Sequence, residues 1–128
     1  VNISSTAAFP LPMPAQFMPT ADSPPPVLTP PGYGVTKWMV IYQTRFMAQL
    51  LGVKNIRVNA VAPGVTMSPA TQTVVPQEII DSITASTALH STLEPEDMTG
   101  VVVFLASDDS SKMTGQILIN DAGSWFTG

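Results

Sequence analysis

The chain has 128 residues, of which 45% are hydrophobic and 11% charged, with a net charge of -4, one His and no Cys. That length holds one domain with a modest core. Five Lys and Arg in all offer no basic stripe for a phosphate backbone, so nucleic-acid binding is disfavoured. The lack of Cys excludes disulfides and thiolate metal sites, and His90 alone builds no metal cluster with carboxylates this scattered. There is no apolar run of about 18 residues and no basic leader followed by an apolar stretch. The expectation is a cytoplasmic, metal-free protein without membrane association. Charge this sparse also predicts that much of the surface is covered, by the chain's own core, by a further part of the same fold or by a partner subunit.

The chain opens Val1-Asn2-Ile3-Ser4 with no initiator Met, as though already inside a strand, which suggests a truncated or processed sequence. Val1 to Ser4 read as the end of a buried strand. From Thr6 to Gly32 the chain is loaded with Pro, including Pro24-Pro25-Pro26 and Pro30-Pro31, which removes backbone donors and fixes φ against helix or central strand. This segment, about 6–32, reads as an irregular insertion. Its Leu11, Met13, Phe17, Met18, Val27 and Leu28 suit either a lid over a pocket or a surface excursion packed on a neighbouring subunit.

Tyr33 to Leu51 lack Pro and carry apolar residues at Met39, Tyr42, Phe46, Met47 and Leu50, one helical stripe; Trp38, Ile41 and Arg45 make a second. A helix apolar on two sides is expected between a sheet and something else, with Gly52 ending it as a C′ residue. Ile56 to Ala62 run apolar, as in a parallel strand covered on both faces, and Pro63-Gly64 stops them. Pro76 to Ala85 and Glu94 to Ser107 are helical candidates, the second with Pro95 and acidic residues at its start. Gln116 to Asn120 give a last strand. Strand, helix, strand, helices, strand is the pattern of a parallel sheet with helices on its faces, and three such strands leave at least one apolar edge open.

Tyr33-Gly34-Val35-Thr36-Lys37 places a phenol and an ammonium four residues apart, on one face of a helix and within reach of each other. A nearby positive charge favours a phenolate, so the pair suits proton exchange with an alcohol or carbonyl. By itself such a pair arises often by chance. Its neighbours, however, stand in a familiar order. Asn2-Ile3-Ser4-Ser5 upstream, Asn59-Ala60-Val61-Ala62-Pro63-Gly64 downstream, and Phe104-Leu105-Ala106-Ser107 through Thr114-Gly115-Gln116 to Asp121-Ala122-Gly123 resemble the short-chain dehydrogenase/reductase family. The resemblance covers nearly all of the chain outside the Pro-rich segment.

The resemblance implies the C-terminal half of a Rossmann-type, doubly wound α/β fold using NAD or NADP, with residues 1–128 as the catalytic portion of a single domain. It implies that Ser5 hydrogen-bonds the substrate oxygen, that Tyr33 is the general acid/base, and that Lys37 favours the phenolate and holds the nicotinamide ribose. Ser4 is the weaker candidate, as a nucleotide-side neighbour. Pro63 and Gly64 match the turn beside the nicotinamide, Val65 a backbone contact to its carboxamide, and Ser68 stands where the family has a Thr near the cofactor. Asn59 and Asp121 are expected to hold structure, and His90 to lie at the surface.

Two departures stand out. The family's serine and tyrosine lie much closer together, so the Pro-rich segment is an insertion at the edge of the substrate pocket, its apolar content pointing to a bulky or hydrophobic carbonyl or alcohol. The Gly-rich Thr-Gly-x-x-x-Gly-x-Gly turn and the residue that separates NAD from NADP do not occur here, so this polypeptide alone is expected to bind dinucleotide poorly. The first reading is an oxidoreductase fragment or subunit whose N-terminal half lies elsewhere or comes from another chain. The others are a non-enzymatic association module and an engineered or proteolysed product. A homo-oligomer joined through the Tyr33 to Leu51 helix and the last strand is also implied.

Overall fold

A computed structural model describes residues 1–9 and 32–126. Three strands, β1 (Asn2–Ile3), β2 (Ala60–Pro63) and β3 (Ile117–Asn120), form one sheet in that order. Both pairings are parallel, Asn2 lying opposite Ala60, and Ala60 opposite Ile117. Parallel neighbours cannot be joined by a tight turn. Here α1 (Tyr33–Gly52) links β1 to β2, while α2 (Pro69–Val74), α3 (Gln77–Ser86) and α4 (Asp97–Ala106) intervene before β3. Helix α1 touches β1 and β2, and α4 touches β2 and β3. The arrangement is the doubly wound α/β type expected, and the Pro-rich segment from residue 10 to 31, with its possible lid, falls outside the described residues.

The central strand carries the core. Ala60, Val61 and Ala62 have no exposed surface, as a continuous apolar run in a parallel sheet requires. β2 is shorter than the predicted Ile56 to Ala62 because side chains take over its first part. Val58 N–H donates to the Thr114 hydroxyl at 3.0 Å, and the Asn59 amide donates to Met113 O at 2.8 Å while accepting from Gln116 N at 3.0 Å. Arg57 reaches under the sheet, its guanidinium donating to Ser110 Oγ and to the carbonyls of Leu105, Ser107 and Met113. These carbonyls lie at and beyond the end of α4, which has no basic residue in its own last turn. A distant arginine supplies the positive charge that a helix C-terminus favours.

Helix α1 buries Ile41, Thr44 and Ala48, a stripe at helical spacing. Trp38, Met39, Tyr42, Phe46 and Leu50 each remain more than half exposed. Of the two predicted stripes, then, the longer faces outward, and in the other only Ile41 is buried, since Trp38 and Arg45 are exposed. Trp38 stacks on Tyr42 at 6.2 Å between ring centroids, and Tyr42 on Phe46 at 6.4 Å. Gly52 is not the predicted C′ residue: it is the last helical position, and the left-handed turn comes at Asn55 (φ 58), whose N–H donates to Gly52 O at 2.9 Å.

Helix α2 was not foreseen. Its start is marked by Ser68, whose hydroxyl accepts from Thr71 N, and by Pro69 at the first helical position. Helix α3 begins one residue after the proline expected to open it. Helix α4 begins at Asp97 and not Glu94, because the Asp97 carboxylate accepts from Glu94 N at 2.8 Å and holds the preceding residues as a turn. Helices α2 and α3 form an excursion closed at its neck by a parallel bridge between Thr66 and Leu93, with Leu93 N donating to Val65 O and Met67 N to Leu93 O. Among the described residues the outer edge of β1 is unpaired, with Val1 and Ile3 each 49% exposed, and no helix is long and apolar enough to cross a membrane.

Candidate active site

Parallel strands bring their carboxyl ends to one border of the sheet, where open α/β folds place their ligand sites. Ser5 follows β1, Gly64 follows β2 and Asp121 follows β3 at that border. Ser5 has extended backbone (φ -165) and caps the 3-10 turn Thr6–Ala8, its Oγ accepting from Ala7 N at 3.2 Å. That acceptor role orients the hydroxyl and leaves its own O–H free to donate.

The turn lies directly against the start of α1. A Cβ at Gly34 would stand 2.6 Å from Ala7 O, so only glycine permits this approach. Thr6 Oγ1 donates to Pro63 O at 3.3 Å, joining the same turn to the end of β2. Tyr33, the first residue of α1, keeps 37% of its surface exposed. One helical turn on, Lys37 Nζ sits 5.6 Å from the Tyr33 ring centroid and donates to Ile3 O at 3.3 Å. Ser4, buried to 2% exposure, donates its hydroxyl to Lys37 O at 2.8 Å and so locks β1 to α1. This is a structural duty. Ser5, Tyr33, Lys37 and Pro63 are thus gathered by direct contacts among β1, its following turn, α1 and β2.

The remaining predicted residues have other engagements. Gly64 N donates to Asn120 O at 2.9 Å, and a Cβ there would meet Asp121 Cβ at 2.7 Å, so the missing side chain makes room for β3's end. The Val65 carbonyl serves the neck of the excursion. The Ser68 hydroxyl is bonded to Thr71 N and Thr71 Oγ1 in capping α2. Asn59 and Asp121 are buried and fully bonded to backbone, as expected of structural polar groups. His90 is exposed, at φ 48.

An apolar cleft of about 430 Å³ lies beside Ala7, Ala8, Phe9, Gly34, Val35 and Trp38. At about 100° per residue, Val35 and Trp38 point roughly 200° and 140° round the helix from Tyr33. The cleft therefore opens toward the exposed aromatic stripe, away from the phenol and the ammonium. Sequence reasoning missed Thr6, the Gly34 contact and the stacking of Phe9 on Trp125 at 6.0 Å. The small residue after Tyr33 was a signal for the second of these.

A parallel sheet flanked by helices, with Ser5, Tyr33 and Lys37 carried by touching elements at the carboxyl ends of its strands, defines an α/β protein of the doubly wound type. A family model described as Enoyl-(Acyl carrier protein) reductase matches residues 27–124. The chain belongs to the short-chain dehydrogenase/reductase family. It is 41% identical over 93 residues to the 3alpha-hydroxysteroid dehydrogenase of Mediterraneibacter gnavus, covering 73% of this chain and 37% of that protein. It is 40% identical over 91 residues to the 3-oxoacyl-acyl-carrier-protein reductase of Thermotoga maritima, covering 71% and 37%. Among solved structures, the 3-oxoacyl-acyl-carrier-protein reductase of Brucella melitensis superposes with a TM-score of 0.77 at 28% identity, over 98% of this chain and 41% of that one. A 7alpha-hydroxysteroid dehydrogenase complexed with NADH and 7-oxo glycochenodeoxycholic acid gives 0.75 at 30% identity, over 94% and 42%. The chain thus spans well under half the length of these relatives, and the two solved structures share its Rossmann-type fold.

Proposed function

We propose that this chain is the acid/base-bearing C-terminal portion of an NAD- or NADP-dependent oxidoreductase that interconverts a small-molecule carbonyl and an alcohol. The observation that supports this best is the convergence of the Ser5 turn, Tyr33 and Lys37 through the Gly34 approach and the Lys37–Ile3 bond. A nicotinamide held here would supply or take up the hydride. Tyr33 exchanges the proton at its phenolic oxygen, and Ser5 donates its free O–H to the same substrate oxygen. One Lys37 N–H is engaged with Ile3 O; the two others are available to a ribose hydroxyl. Pro63, Gly64 and Val65 would line the nicotinamide of a bound dinucleotide, with Ser68 following them in the chain.

These residues fit the nicotinamide end of a dinucleotide. The pyrophosphate end calls for a Gly-rich turn at a helix N-terminus, which we assign to sequence outside these 128 residues, on the same polypeptide or on a complementary one. The substrate class is a hydrophobic or bulky carbonyl or alcohol, in a cytoplasmic homo-oligomer joined through the outer stripe of α1. That stripe also favours a second reading, an association module with a residual site. Intact mass under denaturing conditions, with NADH and NADPH binding followed by fluorescence, separates the two. Nucleotide binding by the chain with a partner carrying the Gly-rich turn supports the oxidoreductase; a stably associated chain that binds neither nucleotide in any assembly supports the module.

A further inference from the structure

The turn that carries Ser5 is held at one end by its strand, and its far end rests on a ring from the other end of the chain. Phe9 closes the turn, its N–H donating to Thr6 O at 3.0 Å, and its ring stacks on Trp125 with 6.0 Å between centroids and 11° between planes. Offset stacks in this range are attractive and directional.

Trp125 is itself fixed. The buried Asp121 carboxylate accepts from Gly123 N at 3.0 Å and from Trp125 N at 2.7 Å, so both oxygens hold the loop after β3. Ala122 (φ 57) and Gly123 (φ 79) take the left-handed backbone that this tight wrapping needs. Their carbonyls accept from Leu89 and Ala88, which anchors the loop from its other side. A buried carboxylate thus sets a backbone loop, the loop sets an indole, and the indole sets Phe9 and the turn that Ser5 caps. Among the described residues, the turn's side-chain bond to the sheet, Thr6 to Pro63, is long at 3.3 Å.

We propose that Trp125 is a positioning residue for the Ser5 hydroxyl, acting through Phe9, with Asp121 holding it in place. The inference rests on the reading of Ser5 as the group that orients the substrate oxygen. Trp125 needs no contact with substrate or cofactor.

The test uses the full chain, in whatever assembly it is active, as wild type, Trp125→Ala and Trp125→Phe. Hydrogen exchange at the Ala7 amide, which is bonded to Ser5 Oγ, reads the turn without any need for turnover. Trp125→Ala accelerates it by roughly tenfold, the equivalent of one aromatic pair, leaves the Val61 amide protected, and Trp125→Phe restores it. Steady-state reduction of ethyl acetoacetate with NADH or NADPH then shows kcat lowered by roughly ten- to a hundredfold in Trp125→Ala, KM little changed, and recovery in Trp125→Phe. Unchanged exchange at Ala7 overturns the inference, as does faster exchange with unchanged kcat. A raised KM at constant kcat overturns it too, since Trp125 then touches substrate. An inactive wild type with no other carbonyl reduced counts against the oxidoreductase reading, while the exchange measurement still decides whether Trp125 braces the turn.

Discussion

Removing the Arg57 side chain tests how the end of α4 is secured. Four contacts are lost: Nη1 to Ser110 Oγ at 2.9 Å and Met113 O at 3.3 Å, and Nη2 to Leu105 O at 3.0 Å and Ser107 O at 3.1 Å. A hydrogen bond to a charged group contributes roughly 1.5–3 kcal/mol net. Arg57 is only half-buried and the Met113 contact is long, so water replaces part of what is lost, and the equivalent of two bonds at the low end gives about 3 kcal/mol. For a chain of this size that corresponds to a Tm lowered by roughly 10–15 °C. Circular dichroism melting of Arg57→Ala measures it, with urea unfolding to confirm that the slope, and hence the surface exposed, is unchanged. Arg57→Lys recovers less than half, because an ammonium lacks the planar fork that spans carbonyls on both sides. A loss below about 1 kcal/mol in Arg57→Ala would refute the view that this guanidinium secures the helix end.

Other substitutions probe the site and the sheet. Gly34→Ala presses a methyl against Ala7 O, 2.6 Å away, and is expected to cost about 1–3 kcal/mol in urea unfolding and to lower activity by displacing Ser5. Asn59→Ala leaves Met113 O and Gln116 N without their partner in the core, a loss of about 1–3 kcal/mol on the same assay. Tyr33→Phe, at a residue 37% exposed, keeps the melting temperature within a degree or two of wild type while lowering kcat by roughly 10²- to 10⁴-fold. Tyr42→Glu, in the middle of the stacked aromatic stripe, reduces the mass seen by light scattering if another copy covers that face.

The order of elements and the nearness of Tyr33 to Lys37 were legible because they rest on short-range pattern: an apolar run for β2, a Pro-free periodic stretch for α1, and a fixed four-residue spacing between phenol and ammonium. What was hidden rests on long-range contact. Within the apolar run Ile56 to Asn59, the Arg57 and Asn59 side chains and the Val58 N–H go to Ser110, the end of α4, Met113 and Thr114, which no local pattern announces. Helix α2 carries a local sign in Ser68-Pro69, a capping hydroxyl followed by proline at the first helical position. Gly52 had the composition of a helix stop, while the left-handed position went to Asn55, whose side chain tolerates it. The pairing of Phe9 with Trp125 joins the two ends of the chain, and nothing in either neighbourhood marks it.

The bridge between Thr66 and Leu93 has an evolutionary corollary. It closes α2 and α3 into a loop whose stem is fixed by three backbone positions, Val65, Met67 and Leu93. Closure entropy grows only as the logarithm of loop length, so doubling such a segment costs about 0.6 kcal/mol. Beyond the stem, the loop meets the sheet's C-terminal border again at Ala88 and Leu89. Between these two fastenings, the exposed residues of α2 and α3 can be lengthened or exchanged while β2 and β3 keep their register, with buried Ile80 and Thr87 kept, so that new surfaces beside the strand ends can be tried without rebuilding the scaffold.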